Sequence, residues 1–179
     1  MAIGQQFVKG SLGVLDCTRQ LFRSPEASLR ILERGDKPRI RVGVVGYSGQ
    51  RFDEDAAREL LRKAYAAVRK DYPDQDLTVV SGLTKLGIPK IAYEEAGEHW
   101  LAEGVASGQA IDFPWSTVDR IRIVGDNWGD ESDTFVHGID VLIRIGGGEQ
   151  TRAEVLAVKR LGKPVYEHRL PTLEASADS

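Results

Sequence analysis

The sequence predicts a three-layer α/β domain: a doubly wound, mainly parallel sheet with helices on both faces. Two observations carry that expectation. From Arg39 onward, short β-branched runs alternate with amphipathic stretches, and such alternation builds parallel strands joined by helical crossovers. Four of the runs end in glycine, at Gly46, Gly82, Gly125 and Gly146, as strands do when the chain must turn at once. A chain of 179 residues, 41% hydrophobic and 28% charged, is long enough for one packed domain and leaves little room for a second.

Residues 1–38 form an N-terminal extension expected to pack on the core or on another subunit. Within it, "SPEASLRILERG" predicts a helix near 25–34, with Pro25 in the first turn and Gly35 to stop it. The preceding "GSLGVLDCTRQLF" fits no single element. The main domain spans 39–170. "RIRVGVVG" suits a buried first strand, and "DEDAARELLRKAYAAVRK" a helix with Ala57, Leu60, Leu61, Ala64 and Val68 on one face and acidic residues in its first turn. "DLTVVSG" is a second strand and "PKIAYEEAGEHWLA" a second helix. "EGVAS", "DRIRIVG" and "IDVLIRIGGG" are the third to fifth strands, with "DESDTFVHG" a short helix or turn before the fifth. "TRAEVLAVKRLG" is a helix ended by Gly162, "KPVYEHRL" a last strand, and 171–179 a tail expected to fray.

Composition excludes several function classes. A formal net charge of -3 argues against a general nucleic-acid binder, which shows a basic face. No apolar run reaches the roughly 18 residues of a membrane span, and "MAIGQQFVKGSLGVLD" lacks the apolar centre of a signal peptide. The single cysteine, Cys17, has no disulfide partner within the chain and no ligand cluster around it, so no metal site is assigned. A cytoplasmic protein, with neither nucleic acid nor membrane as partner, is expected.

In a doubly wound sheet, ligands bind beyond the carboxyl ends of the strands, near the point where strand order reverses. The four strand-end glycines fall on that edge, whereas "KDYPDQD", "DFPWSTVD" and "LGKP" are assigned to the opposite one. A helix that starts directly after a glycine turn aims free N–H groups and a partial positive charge at the same spot, which favours a phosphate. "GVVGYSGQRF" lacks the third glycine of the dinucleotide fingerprint, and no G-x-x-x-x-G-K-[ST] loop is present.

The stretch "GGGEQTRAE" resembles the P-G-G-x-G-T-x-x-E signature of the SLOG superfamily, which includes the LOG phosphoribohydrolases once called lysine decarboxylases. Gly147, Gly148, Thr151 and Glu154 match in register; Gly146 stands where the signature has proline and Gln150 where it has its third glycine. "GYSG" and "VVSGLTKLGIPKIAYEEA" resemble the superfamily's first- and second-strand loops, and the likeness runs from Arg39 to Leu170. The chain also resembles the molybdenum-cofactor-carrier branch of the same group. The resemblance implies a Rossmann-like sheet that binds a nucleotide or nucleotide-derived phosphate ligand, as a homo-oligomer (dimer or tetramer). The phosphate role falls to Gly146, Gly147, Gly148, Gln150 and Thr151, with Gly46, Tyr47, Ser48, Ser81 and Gly82 on the neighbouring loops.

In the LOG hydrolases a glutamate of this motif and an arginine on the preceding helix cleave an N-glycosidic bond. Glu154 matches the glutamate and is the candidate catalytic residue; a glutamate in a first helical turn is also favoured by the helix dipole alone. The arginine has no counterpart, because "GDNWGDESDTFVHGID" offers Asp130, Glu131 and Asp133 instead. Trp128 could stack on a ring, and Asp126, Asp130 and Glu131 could accept from sugar hydroxyls or hold Mg²⁺ through waters; the alternative is a capped helix start at Asp130 or Ser132. A cation for the site would have to come from Lys85, Arg152 or another subunit. The sequence therefore argues for binding of a phosphate-bearing small molecule, with phosphoribohydrolysis and a carrier or structural role as alternatives. Beyond a bound nucleotide with Mg²⁺, no cofactor is implied.

Overall fold

The computed structural model describes residues 19–22 and 39–173. The expected helix near 25–34, Cys17 and the end of the tail lie outside the described residues. Seven strands form one sheet: β1 (Arg19–Phe22), β2 (Arg39–Gly46), β3 (Asp76–Ser81), β4 (Leu101–Ala106), β5 (Arg120–Ile123), β6 (Val141–Ile145) and β7 (Val165–His168). Their order is β1-β5-β4-β3-β2-β6-β7. β2 to β7 are mutually parallel, and β1 adds an antiparallel edge on β5. The helices are α1 (Glu54–Asp71), α2 (Gly87–Ala96), α3 (Ser132–Gly138) and α4 (Glu149–Arg160).

Alternation along the central strands separates two cores. Val42 and Val44 of β2, Val79 of β3 and Val141, Ile143 and Ile145 of β6 pack with Leu61, Ala64 and Val68 of α1 and with Ile88 and Ile91 of α2. Val45, Val80 and Leu142 point the other way, against Phe135 and Val136 of α3 and Val155 and Val158 of α4. This is the doubly wound, three-layer arrangement expected. The chain runs outward from β2 through β3, β4 and β5, then returns to β6 on the other side of β2. The strand order thus reverses between β2 and β6.

Three features differ from the sequence reading. The second helix stops at Ala96, and Leu101 and Ala102, read as helical, open β4 instead. Pairing decides it: Leu101 lies opposite Thr78, and the Ala102 N–H donates to Asp119. The β4–β5 connection has no crossover helix; it travels over the carboxyl edge through a 3₁₀ turn at Gly108–Asp112. "DFPW" therefore sits at the carboxyl edge, where the Lys85 N–H donates to the Pro114 carbonyl and Trp115 bridges Thr84. Lastly, the start of the tail is pinned: Thr172 bridges Phe52, and the Leu173 N–H donates to Arg51.

Inside β4, Glu103 is 1% exposed and would be prohibitive without partners. Arg41 grips it with two hydrogen bonds of 2.8 and 2.9 Å, and Arg122 approaches to 3.6 Å. Arg41 also donates to the Gly138 carbonyl, so one guanidinium ties β2, β4 and the end of α3. Burial alone would raise the Glu103 pKa, but the Arg41 hydrogen bonds and the surrounding guanidinium charge hold it below the ordinary range. Replacing Glu103 with Ala leaves Arg41 facing a void, and the expected loss is about 3 kcal/mol in urea unfolding. A loss below about 1 kcal/mol would show that the pair stabilises little.

Candidate functional site

An open cleft lies at the carboxyl edge, on the β2–β3 side of the reversal point, and encloses about 720 Å³ counting the solvent at its mouth. Of the candidate residues, Gly46, Ser48, Ser81, Gly82, Trp128, Glu131, Gln150, Thr151 and Glu154 line it. Tyr47, Asp130, Gly146, Gly147 and Gly148 do not, though each shapes it. The remaining wall is mostly apolar, from Leu83, Pro89, Val105 and Phe135 among others.

The turn after β6 sets the far wall. Gly146 and Gly147 take φ of 62° and 98°, a region that side chains resist. The Tyr47 ring lies against the Cα of Gly146 and stacks on Phe52, while Gly147 leaves room for the Thr151 side chain. Gly148 then occupies the cap position of α4, and no side chain caps that helix. Its first-turn N–H groups are therefore open to a ligand oxygen, and the helix dipole favours a negative one. Thr151 sits one turn in, nearly buried and on the cleft wall.

Other candidates are committed to the structure. The Ser81 hydroxyl donates to the Val44 carbonyl at 2.6 Å, and its N–H donates to the Tyr93 hydroxyl, so it joins strands. Asp130 accepts from the N–H groups of Asn127 and Asp126 at 2.9 and 3.0 Å; these bonds hold its pKa low and make it the clasp of its own loop. Glu131 accepts from the Gly129 N–H but keeps its place in the cleft wall. Lys85 and Arg152 are not lining residues, and among the described residues no other lysine or arginine is.

Glu154 is 9% exposed. Its Oε1 accepts from the Ser132 hydroxyl at 3.1 Å and from the Gln150 amide at 3.4 Å. Burial pushes its pKa up to about 7; the charge of Glu131 adds to the rise, and the two hydrogen bonds oppose it. Ser132, at the head of α3, is a site residue that sequence reasoning treated only as a helix start. Phe113 lies next to the site without lining it: its ring meets Trp128, a lining residue, edge-on at 5.8 Å, and both are 52% exposed. No sequence signal singles it out, because nothing local shows that the β4–β5 loop lies on this edge. A second cavity opens at the opposite edge, lined by Arg39, Arg41, Thr78, Leu101, Ala102 and Arg120. Among the described residues, no three His, Cys, Asp or Glu side chains are grouped as a metal would require, and no helix is long and apolar enough to cross a membrane.

Two outcomes follow from this geometry. Glu154 has a folded pKa above its ordinary value of 4.5, so its neutral form is the one folding favours. That contribution is complete below about pH 4 and is lost as pH rises toward 7. Glu154→Gln should match the parent near pH 4 and exceed it at pH 8 by on the order of 3 kcal/mol, in urea unfolding followed across pH. Equal stabilities at pH 8 would contradict a buried, cation-free carboxylate. Gly147→Ala forces a side chain into positive φ and places a methyl 2.5–2.7 Å from Thr151 atoms. The expected cost is about 1–3 kcal/mol by the same measurement.

The solved structures that share this fold include these two. One is of the molybdenum cofactor carrier protein MCP from Chlamydomonas reinhardtii, 22% identical over 72% of this chain and 76% of the other, with a TM-score of 0.50. The second is of the protein TM1055, 23% identical over 70% of this chain and 72% of the other, with a TM-score of 0.52. No protein-family model matches the chain, and no curated protein does. At such identities the likeness carries the fold and not the ligand. The Rossmann-like fold implied by the SLOG resemblance, with its molybdenum-cofactor-carrier branch, is the fold found.

Proposed function

We propose that the chain binds a nucleotide or nucleotide-derived phosphate ligand in the carboxyl-edge cleft, as a receptor or carrier. The observation that carries this reading is the uncapped start of α4, reached through Gly146–Gly148, beside Thr151 at the strand-order reversal. That arrangement suits a phosphate on the helix start and the organic part of the ligand against the apolar wall. The likeness to a molybdenum cofactor carrier protein is in keeping with small-molecule binding without turnover. The SLOG-type motif match points the same way.

Phosphoribohydrolysis is the second reading, and one observation favours it. A buried glutamate with a pKa of about 7 is suited to donate a proton to a leaving base. Against it, the described lining residues include no lysine or arginine to anchor the phosphoribosyl group, the role the arginine plays in the LOG hydrolases. Receptor function is therefore preferred. Mg²⁺ and assembly into a dimer or tetramer belong to this proposal as accompaniments of the ligand, and a cytoplasmic setting to its expected context.

Thermal-shift and calorimetric titration with nucleoside monophosphates tests the reading. Binding should be competed by inorganic phosphate, and Thr151→Val should weaken it about tenfold by removing one hydroxyl donor from a charged acceptor. No free base should appear on prolonged incubation with AMP. Absence of stabilisation by every phosphorylated ligand would overturn the receptor reading, and release of adenine would establish the hydrolase in its place.

A further inference from the structure

One polar feature of the cleft is a buried carboxyl group with half of its bonding capacity unused. Oε1 of Glu154 takes both internal hydrogen bonds, whereas Oε2 has no partner among the described residues and is not sealed from the cleft. Among the described lining residues the one other charged side chain, Glu131, is also acidic. A buried carboxylate without a cation is costly, so an occupant that reaches it must bring donors or positive charge.

Three chemical classes could do so: a divalent cation, a polyhydroxylated sugar, or a ring bearing N–H groups. A cation would want more ligands than two carboxylates, and no such cluster exists among the described residues. A sugar's hydroxyls would find Ser48, Thr84 and Thr151 on the wall, but its ring offers no flat face to Val45, Leu83, Val105, Ala106 and Phe135 on the same wall. A flat heterocycle meets apolar walls with its faces and the carboxylate with its edge. Trp128, edge-on to Phe113, extends the flat apolar surface to the mouth.

We propose that Glu154 reads the edge of a nitrogen heterocycle presenting two adjacent N–H donors, a cyclic-amidine edge, held between the β2–β3 wall and Trp128. The proposal rests on the nucleotide-binding reading above and specifies its base. One ligand N–H fills Oε2; the other replaces the Gln150 contact, at 3.4 Å the longer of the two on Oε1. Ionised Glu154 accepts from both donors. Protonated, it offers one donor and one acceptor, and fits instead an amino group beside a ring-nitrogen acceptor. The polar groups facing it are Glu131 and Ser132 from the start of α3 and Gln150 from its own helix; among the described residues no other titratable side chain lines the cleft. Because the carboxyl changes charge near neutrality, the choice of base edge follows pH.

The probes are GMP, with two adjacent donors, IMP, with one, and AMP, with an acceptor beside its amino group. Calorimetry on the full chain at pH 8 should give GMP about tenfold tighter than AMP, with IMP between them, as one bidentate pair discriminates. At pH 6 the ratio should shrink toward one. Glu154→Gln, whose amide is donor plus acceptor at every pH, should lose both the preference and its pH dependence while unfolding cooperatively. Equal affinities for GMP and AMP at pH 8, or a preference that survives in Glu154→Gln, would overturn the proposal and leave the receptor reading standing. If GMP, IMP, AMP and ribose 5-phosphate all fail to bind, the receptor reading fails and takes this proposal with it.

Discussion

The tight turn between Ile145 and Thr151 is the constraint on which the cleft depends. β6 is buried on both faces, so its carboxyl end cannot drift, and α4 must start at once to cover Val45 and Leu142. Two successive residues at positive φ achieve this, with Tyr47 packed where a side chain at Gly146 would be and Thr151 where one at Gly147 would be. The same contacts that pack the turn aim the start of α4 across the end of β2. The shape of the cleft is here a by-product of close packing. Tyr47 lines no part of the cleft, yet the position of the loop rests on its ring.

Two buried glutamates show how the same side chain is put to opposite uses. Glu103 lies among guanidinium groups, stays ionised and links β2, β4 and the end of α3. Glu154 is buried with only neutral donors and an acidic neighbour, and its pKa climbs to about 7. The first is a structural anchor whose cost of burial is offset inside the fold. The second is left uncompensated in the unliganded chain, and a cation-free carboxylate on a cleft wall is the sort of strain that functional sites carry.

Much of this was legible beforehand, for identifiable reasons. β2, β3 and β6 are buried on both faces, so they read as continuous β-branched runs, and the strand-end glycines lie at the edge where the cleft opens. The arginine partner of Glu154 is a gap in the motif, and the lining residues among the described ones include no lysine or arginine. What local pattern could not show is pairing at a distance. Leu101 and Ala102 look helical until Thr78 and Asp119 claim them. The antiparallel edge at Arg19–Phe22 exists only because β5 offers an open side. Asp130 reads in sequence as a ligand residue, and in the fold its Oδ2 also clasps its own loop by accepting from the N–H groups four and three residues earlier. Phe113 lies next to the site because its connection lacks a helix, which no periodicity announces.

The central claim is that ligand binds at the glycine edge and nowhere else on the sheet. Backbone amide NMR during titration of the full chain with a nucleoside monophosphate tests it most directly. The account predicts saturable shifts concentrated at Gly147, Gly148, Gln150 and Thr151, extending to Gly46, Ser48 and Gly82. Shifts centred instead on the arginine-lined cavity at the opposite edge, around Arg41, Thr78 and Arg120, would contradict it.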